Sequence, residues 1–200
     1  MDIDPKDVID RAAEARQEAS AARLNAAVAV TVAVLATFMG ICKVKDDNIV
    51  QAMQQAQADK LDHWAYYQSR TVRADVAEAT ATQLELAKAG APAAQAASYD
   101  QAIAGYRAKA ADQMKKRDEL KTQAENDQKT YDSLNYRDDQ FDLSDALLAL
   151  AIALLAVTAL TKLWPLFFVS LVPTFFGVLM GVAGLAALRI HPDALVKLLS

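Results

Sequence analysis

The sequence predicts an all-α membrane protein with three transmembrane helices and, between the first and second, a long antiparallel helical hairpin that forms a coiled-coil-like stalk. Three observations predict it. Hydrophobic residues make up 54% of the 200 positions and charged residues 23%, yet the two are segregated along the chain. Residues 24–42, 143–161 and 166–188 are almost free of charge, whereas residues 43–142 contain 14 Lys+Arg and 17 Asp+Glu. That charged middle contains only Gly90, Pro92 and Gly105 as plausible helix breakers, so its helices must be long. Segregation of this kind excludes a soluble enzyme built on one continuous core. A formal net charge of -4 excludes a basic nucleic-acid binder, and a single cysteine, Cys42, excludes a disulfide scaffold.

Residues 1–23 read as an amphipathic helix that starts at Asp4-Pro5, with a cap and a first-turn proline, and continues into the membrane. The first span, residues 24–42, lies between Arg23 on one side and Lys43 and Lys45 on the other. Its 19 residues approach the roughly 20 that a helix needs to cross a hydrocarbon core of about 30 Å. It is not read as a cleavable signal, because its charged lead-in is long and Thr37-Phe38-Met39-Gly40 is no small-x-small site. Ala29, Ala33, Ala36 and Gly40 give it a small-residue face.

Residues 43–142 form the predicted hairpin, with its turn near residues 90–92. In the first arm, Leu61, Ala65, Gln68, Val72, Val76, Ala79, Gln83 and Leu86 recur at steps of three and four, as a helix–helix seam requires. In the second arm, Tyr99, Ile103, Tyr106, Ala110, Arg117, Ala124, Tyr131, Leu134, Asp138 and Phe141 keep a similar register. Both seams are rich in alanine and interrupted by polar residues. A two-helix hairpin with so thin a core buries little apolar area, which implies homo-oligomerisation or a helical protein partner.

The second span, residues 143–161, carries Ser144 and Asp145 in its first turn, where the carboxylate reaches the interface and favours the positive end of the helix dipole. Lys162-Leu163-Trp164-Pro165 is too short for anything but a tight turn into the third span, residues 166–188, and Trp164 suits a headgroup boundary. Pro173 predicts a kink. Gly177, Gly181 and Gly184 let another helix approach closely. Residues 189–200 are a tail.

Asp62, His63, Trp64, Tyr66 and Tyr67 form the densest polar and aromatic cluster. Asp59 and His63 are one helical turn apart, but two ligands do not make a metal site. No catalytic triad, phosphate loop or dinucleotide turn is present in the sequence, so no catalytic, cofactor or metal residue is assigned. Trp64 and Tyr67 share one helix face and Tyr66 points to another, which marks all three, with Gly177, Gly181 and Gly184, as packing or oligomer contacts. The expected function is that of a non-enzymatic, homo-oligomeric membrane scaffold. The alternative is an oligomeric pore or transport-associated protein, for which the spans offer only Asp145, Thr31, Thr37, Thr158, Ser170 and Thr174.

Asp62-His63-Trp64-Ala65-Tyr66-Tyr67-Gln68-Ser69-Arg70 and Phe141-Asp142-Leu143-Ser144-Asp145-Ala146-Leu147-Leu148, with a span ending Thr161-Lys162-Leu163-Trp164, resemble the two signatures of domain-of-unknown-function family 4337. The chain departs from that pattern at Asp138-Asp139-Gln140, where basic or histidine residues are expected. The resemblance implies a bacterial three-span protein of the cell membrane, and brings no activity and no catalytic residues. Orientation rests on charge. Lys6, Arg11, Arg16, Arg23 and Lys162 balance Lys43, Lys45, Arg137, Arg189 and Lys197, and the short lead-in to the first helix then places the N-terminus in the cytoplasm and the stalk in the periplasm.

Overall fold

A computed structural model describes residues 5–190. The expected cap at Asp4 and the tail from His191 onward, Lys197 included, lie outside the described residues. Those residues form three α-helices and one short 3₁₀ turn: α1, Pro5–Ala89; the 3₁₀ turn, Ala93–Gln95; α2, Ala96–Thr161; and α3, Trp164–Ala186. Each carries a stretch long and apolar enough to cross a membrane.

Elements that the sequence divides at changes of polarity are single helices. α1 runs for 85 residues through the lead-in, the first apolar stretch and the first half of the charged middle. Hydrogen bonding is local, so a change from apolar to charged side chains leaves the backbone ladder intact where no Gly or Pro interrupts it. Gly105 does not break α2, and α3 continues through a buried Pro173. Helix does break where turn chemistry demands it. Gly90 and Ala91 donate back to Ala87 and Lys88, and Pro92 precedes the 3₁₀ turn. Between α2 and α3 only Lys162 and Leu163 lie outside a helix, so the turn is shorter than the four residues expected, and Trp164 and Pro165 begin α3. Lys162 accepts a left-handed conformation, φ 57°, to make this reversal. α3 ends on Ala187 at φ 52°, with Leu188 N–H donating to Ala183 O at 2.9 Å.

The chain divides into two compact units, one comprising residues up to Val50 and from Asn135 onward, the other Gln51–Leu134. In the first unit Leu24, Val28 and Leu35 of α1 meet Leu148, Ala151 and Leu155 of α2, and Trp164, Phe167 and Val178 of α3 pack against that core. Trp164 Nε1–H donates to Ser20 Oγ at 3.1 Å. Residues 8–20 are exposed on every side, so this lead-in buries no apolar stripe. The small-residue face of Ala29, Ala33, Ala36 and Gly40 is exposed as well.

The second unit contains one α1 segment and one α2 segment whose cross-pairs run in opposite sequence order. Lys88 pairs with Asp100, Glu85 with Arg107, Arg70 with Gln113, His63 with Asp127 and Lys60 with Gln128. On α2 the predicted positions Ile103, Tyr106, Ala110, Arg117, Ala124, Tyr131 and Leu134 are inward, and Gln113, Leu120, Asp127 and Gln128, which the predicted seam does not include, join them. On α1 the expectation fails. The inward positions are Met53, Ala56, Lys60, His63, Tyr67, Arg70, Ala74, Ala77, Ala81, Leu84 and Lys88, again at alternating steps of three and four. Leu61, Val72, Val76 and Leu86, expected in the seam, are 60%, 61%, 60% and 73% exposed. Facing alanines let the helices approach closely, and long polar side chains then reach across the seam to one another, so this interface selects small residues and hydrogen-bonding pairs over large apolar ones.

Candidate functional site

The site with the most unusual chemistry lies in the first unit, where the charged middle meets the apolar segments. α1 ends its apolar run at Cys42 and then presents Lys43, Asp46 and Asp47; α2 brings Asp138, Asp139, Asp142 and Asp145 at spacings of one, three and three. Residues three and four apart share a helix face, so Asp138, Asp142 and Asp145 lie along one side of α2. Met39, Cys42, Lys43, Asp46, Phe141, Asp142, Ser144 and Asp145 enclose a small cavity of about 20 Å³, room for about one water molecule.

Asp46 is the buried member, 5% exposed. Its Oδ2 accepts a hydrogen bond from Lys43 Nζ at 2.8 Å, while its Oδ1 has no donor. Lys43 also reaches Asp47 Oδ1 at 3.3 Å. Hydrogen bonds to Asp46 and then to Asp47 raise the Lys43 pKa and keep the ammonium charged. Across the helix pair, burial pushes the half-buried Asp138 carboxyl up to about 7. Its hydrogen-bonding contact with Asp46 and the charges of Asp142, Asp46 and Asp139 add to that shift. Asp142 is raised as well, by desolvation first and then by Asp46 and Asp139. One lysine thus stands among six carboxyl groups, and desolvation combined with like charge favours protonation of some of them.

The neighbouring α2–α3 contact fixes this geometry. Arg137 Nη2–H donates to Gly184 O at 2.9 Å, and buried Gln140 donates through Nε2 to Leu188 O and Ile190 O at 2.8 and 2.6 Å. Gly184 O also accepts from the Ala187 N–H at 3.4 Å, and Leu188 and Ile190 lie just beyond the end of α3. Buried Ser144 Oγ–H donates to Gly177 O at 2.8 Å. Asn135 Nδ2 lies 3.4 Å from Asp139 Oδ2.

The contact residues expected from sequence are distributed over both units. Gly177, Gly181 and Gly184 face this chain's own helices: a Cβ at Gly177 would lie 2.8 Å from Leu148 Cγ, one at Gly181 2.6 Å from Phe38 Cε1, and one at Gly184 2.9 Å from Phe141 Cζ. Trp64 and Tyr67 stack edge to face at 5.2 Å in the second unit, with the Arg117 guanidinium 5.8 Å from the Tyr67 ring, while Tyr66 is exposed. His63 Nδ1 lies 2.7 Å from Asp127 Oδ2 on α2. Asp59 instead accepts from Gln55, so the pair considered as metal ligands is divided between other partners. Cys42 is buried.

Sequence reasoning missed the Asp46–Asp138 juxtaposition. The available signal was the departure at Asp138-Asp139-Gln140, a run of acids and an amide directly before an apolar span. No curated protein and no solved structure matches the chain. The family model described as domain of unknown function (DUF4337) matches residues 24–187, a region that includes the acidic cluster, the glycine contacts and the aromatic cluster, and the chain belongs to that family.

Proposed function

We propose that the protein is a non-enzymatic membrane scaffold that assembles with further copies of itself through the outward face of α1 in the second unit. The observation that carries this reading is the exposed series Leu61, Ala65, Gln68, Val72, Val76, Ala79, Gln83 and Leu86, a second seam on a helix whose first seam α2 already occupies. None of these eight residues is charged. Two identical faces can therefore meet without like-charge repulsion, which favours a second copy as the occupant. A groove of about 340 Å³ beside the series, lined by Val72, Arg73, Val76, Ala77, Tyr106, Lys109 and Gln113, offers room for side chains of the facing copy. The stalk is then a coiled coil within and between chains.

The three apolar stretches anchor the scaffold in a bilayer, in this reading the bacterial inner membrane, with the N-terminus cytoplasmic and residues 43–142 periplasmic. Hydroxyl groups in the apolar stretches support a scaffold over a pore. Thr31, Thr37, Thr158, Ser170 and Thr174 each donate to a carbonyl of their own helix, Ala27, Ala33, Leu154, Phe167 and Ser170 respectively, which leaves little to line a water path.

Complete burial of a valine side chain is worth about 1.5–3 kcal/mol, so burying the exposed three-fifths of Val72 or Val76 contributes about 1–2 kcal/mol each. Replacing both with Asn is expected to reduce the nanodisc-embedded particle to a smaller species with unchanged helical content; an unchanged particle mass contradicts the reading. Cysteine labelling in intact cells tests orientation, with Ser98→Cys labelled from outside and Ser20→Cys protected.

A further inference from the structure

Asp46 Oδ1 is a buried carboxylate oxygen that receives no hydrogen bond from any side chain around it. Leaving such an acceptor unpaired is costly. The group in hydrogen-bonding contact with Asp46 across the helix pair is itself a carboxyl, Asp138. Two ionised carboxylates cannot bond to each other, because neither carries a donor; a protonated one supplies it. We propose that Asp46 and Asp138 hold one proton between them, forming a proton-binding site at the charged end of the apolar segments whose occupancy sets how closely α1 and α2 approach there.

The groups facing the pair come from each helix around it. α1 contributes Lys43, Asp47 and the Cys42 thiol; α2 contributes Asp139, Asp142 and Asp145, together with Arg137, whose guanidinium is turned to Gly184 O. α3 contributes no charged side chain between Trp164 and Ala186. Lys43 already bonds Asp46 Oδ2 and reaches Asp47, so it leaves Oδ1 without a donor. The ligand is a proton and not a metal ion, because no three His, Cys, Asp or Glu side chains are grouped to hold a metal among the described residues, whereas a proton needs only two facing oxygens. The cavity bordering Asp46 admits about one water, which gives the proton a carrier without a wide channel.

Release of the proton converts a hydrogen bond into two like charges in a desolvated contact. Separation of α1 from α2 or entry of water is then required. Burial places this exchange near neutral pH, since the Asp138 carboxyl is pushed up to about 7.

The test is pH-difference infrared spectroscopy of the full chain in nanodiscs, following the protonated-carboxyl band from about pH 5 to 9, around the displaced value. The expected result is one acid signal per chain that disappears near neutral pH, is absent in Asp138→Asn and in Asp46→Asn, and is unchanged in Asp75→Asn. Should either Asn variant misfold by circular dichroism, Asp142→Asn keeps both partners and is expected to lower the midpoint by about half a pH unit through loss of a like charge. An unmoved midpoint there contradicts the proposal. So does the absence of any acid signal above about pH 6, or its persistence in both pair variants. A midpoint displaced by about one unit when sodium or calcium chloride replaces choline chloride identifies a cation site and overturns the proton assignment.

Discussion

Gly181→Ala is the sharpest perturbation of the helix contacts. The added methyl would lie 2.6 and 2.7 Å from Phe38 Cε1 and Cζ, and 2.8 Å from Ser144 Oγ. Ordinary carbon contacts fall near 3.5–4.0 Å, so the Phe38 ring must retreat by about 1 Å. Ser144 is fully buried and its hydroxyl is committed to Gly177 O, which blocks the opposite escape. Overpacking of this kind costs about 1–3 kcal/mol, and weakening the Ser144 bond adds about 1 kcal/mol. The expected destabilisation is about 2–4 kcal/mol as the sum of those two effects. Reversible denaturation in mixed detergent micelles measures it, and a double-mutant cycle with Phe38→Ala identifies its source. Phe38→Ala removes the clashing ring and should recover more than half of the loss when combined with Gly181→Ala. A loss below about 0.5 kcal/mol, or full additivity with Phe38→Ala, would refute the packing argument.

Ala187→Gly is expected to stabilise the end of α3 by about 0.5–1 kcal/mol, because a left-handed residue with a Cβ is strained; a lower melting temperature would contradict this. Replacing the His63–Asp127 pair with two leucines should leave stability equal or higher, whereas Asp127→Leu alone should lower it, since a half-buried partner is then left unpaired. Thermal scans of the three proteins at one pH decide it. The raised Asp138 pKa sets a pH dependence. Its proton favours the folded state below the ordinary carboxylate range, and that contribution is lost as pH rises from about 4 through 7. Asp138→Asn should flatten the decline in melting temperature over this window, and an unaltered slope would exclude Asp138 as its source.

The legible parts of the fold are those set by composition along the chain. Three nearly uncharged stretches, the Gly90–Pro92 break and most of the α2 register follow from the sequence, the last because Tyr99, Ile103, Tyr106 and Tyr131 are large and fix its phase. The α1 register was not legible. Leu61, Val72, Val76 and Leu86 dominate any reading by size, yet the face that meets α2 is made of Ala74, Ala77 and Ala81 together with His63 and Arg70, whose partners Asp127 and Gln113 lie far along the chain. Pattern recognition within one helix identifies an apolar face without saying which neighbour covers it. Gly177, Gly181 and Gly184 were legible as contacts for the same reason, while their partners Leu148, Phe38 and Phe141 required the three-dimensional arrangement. The Asp46–Asp138 pair was hidden because each aspartate alone resembles an ordinary interfacial charge, and only their approach in a desolvated contact changes their chemistry.

The central claim is that copies of this chain associate through the outward face of α1. Native mass spectrometry of the full-length protein, extracted directly from the membrane into lipid nanodiscs, tests it most directly. The account predicts a discrete particle of two or more 21.6 kDa chains that dissociates when Val72 and Val76 are replaced with Asn. A particle containing a single chain at every protein concentration would contradict it.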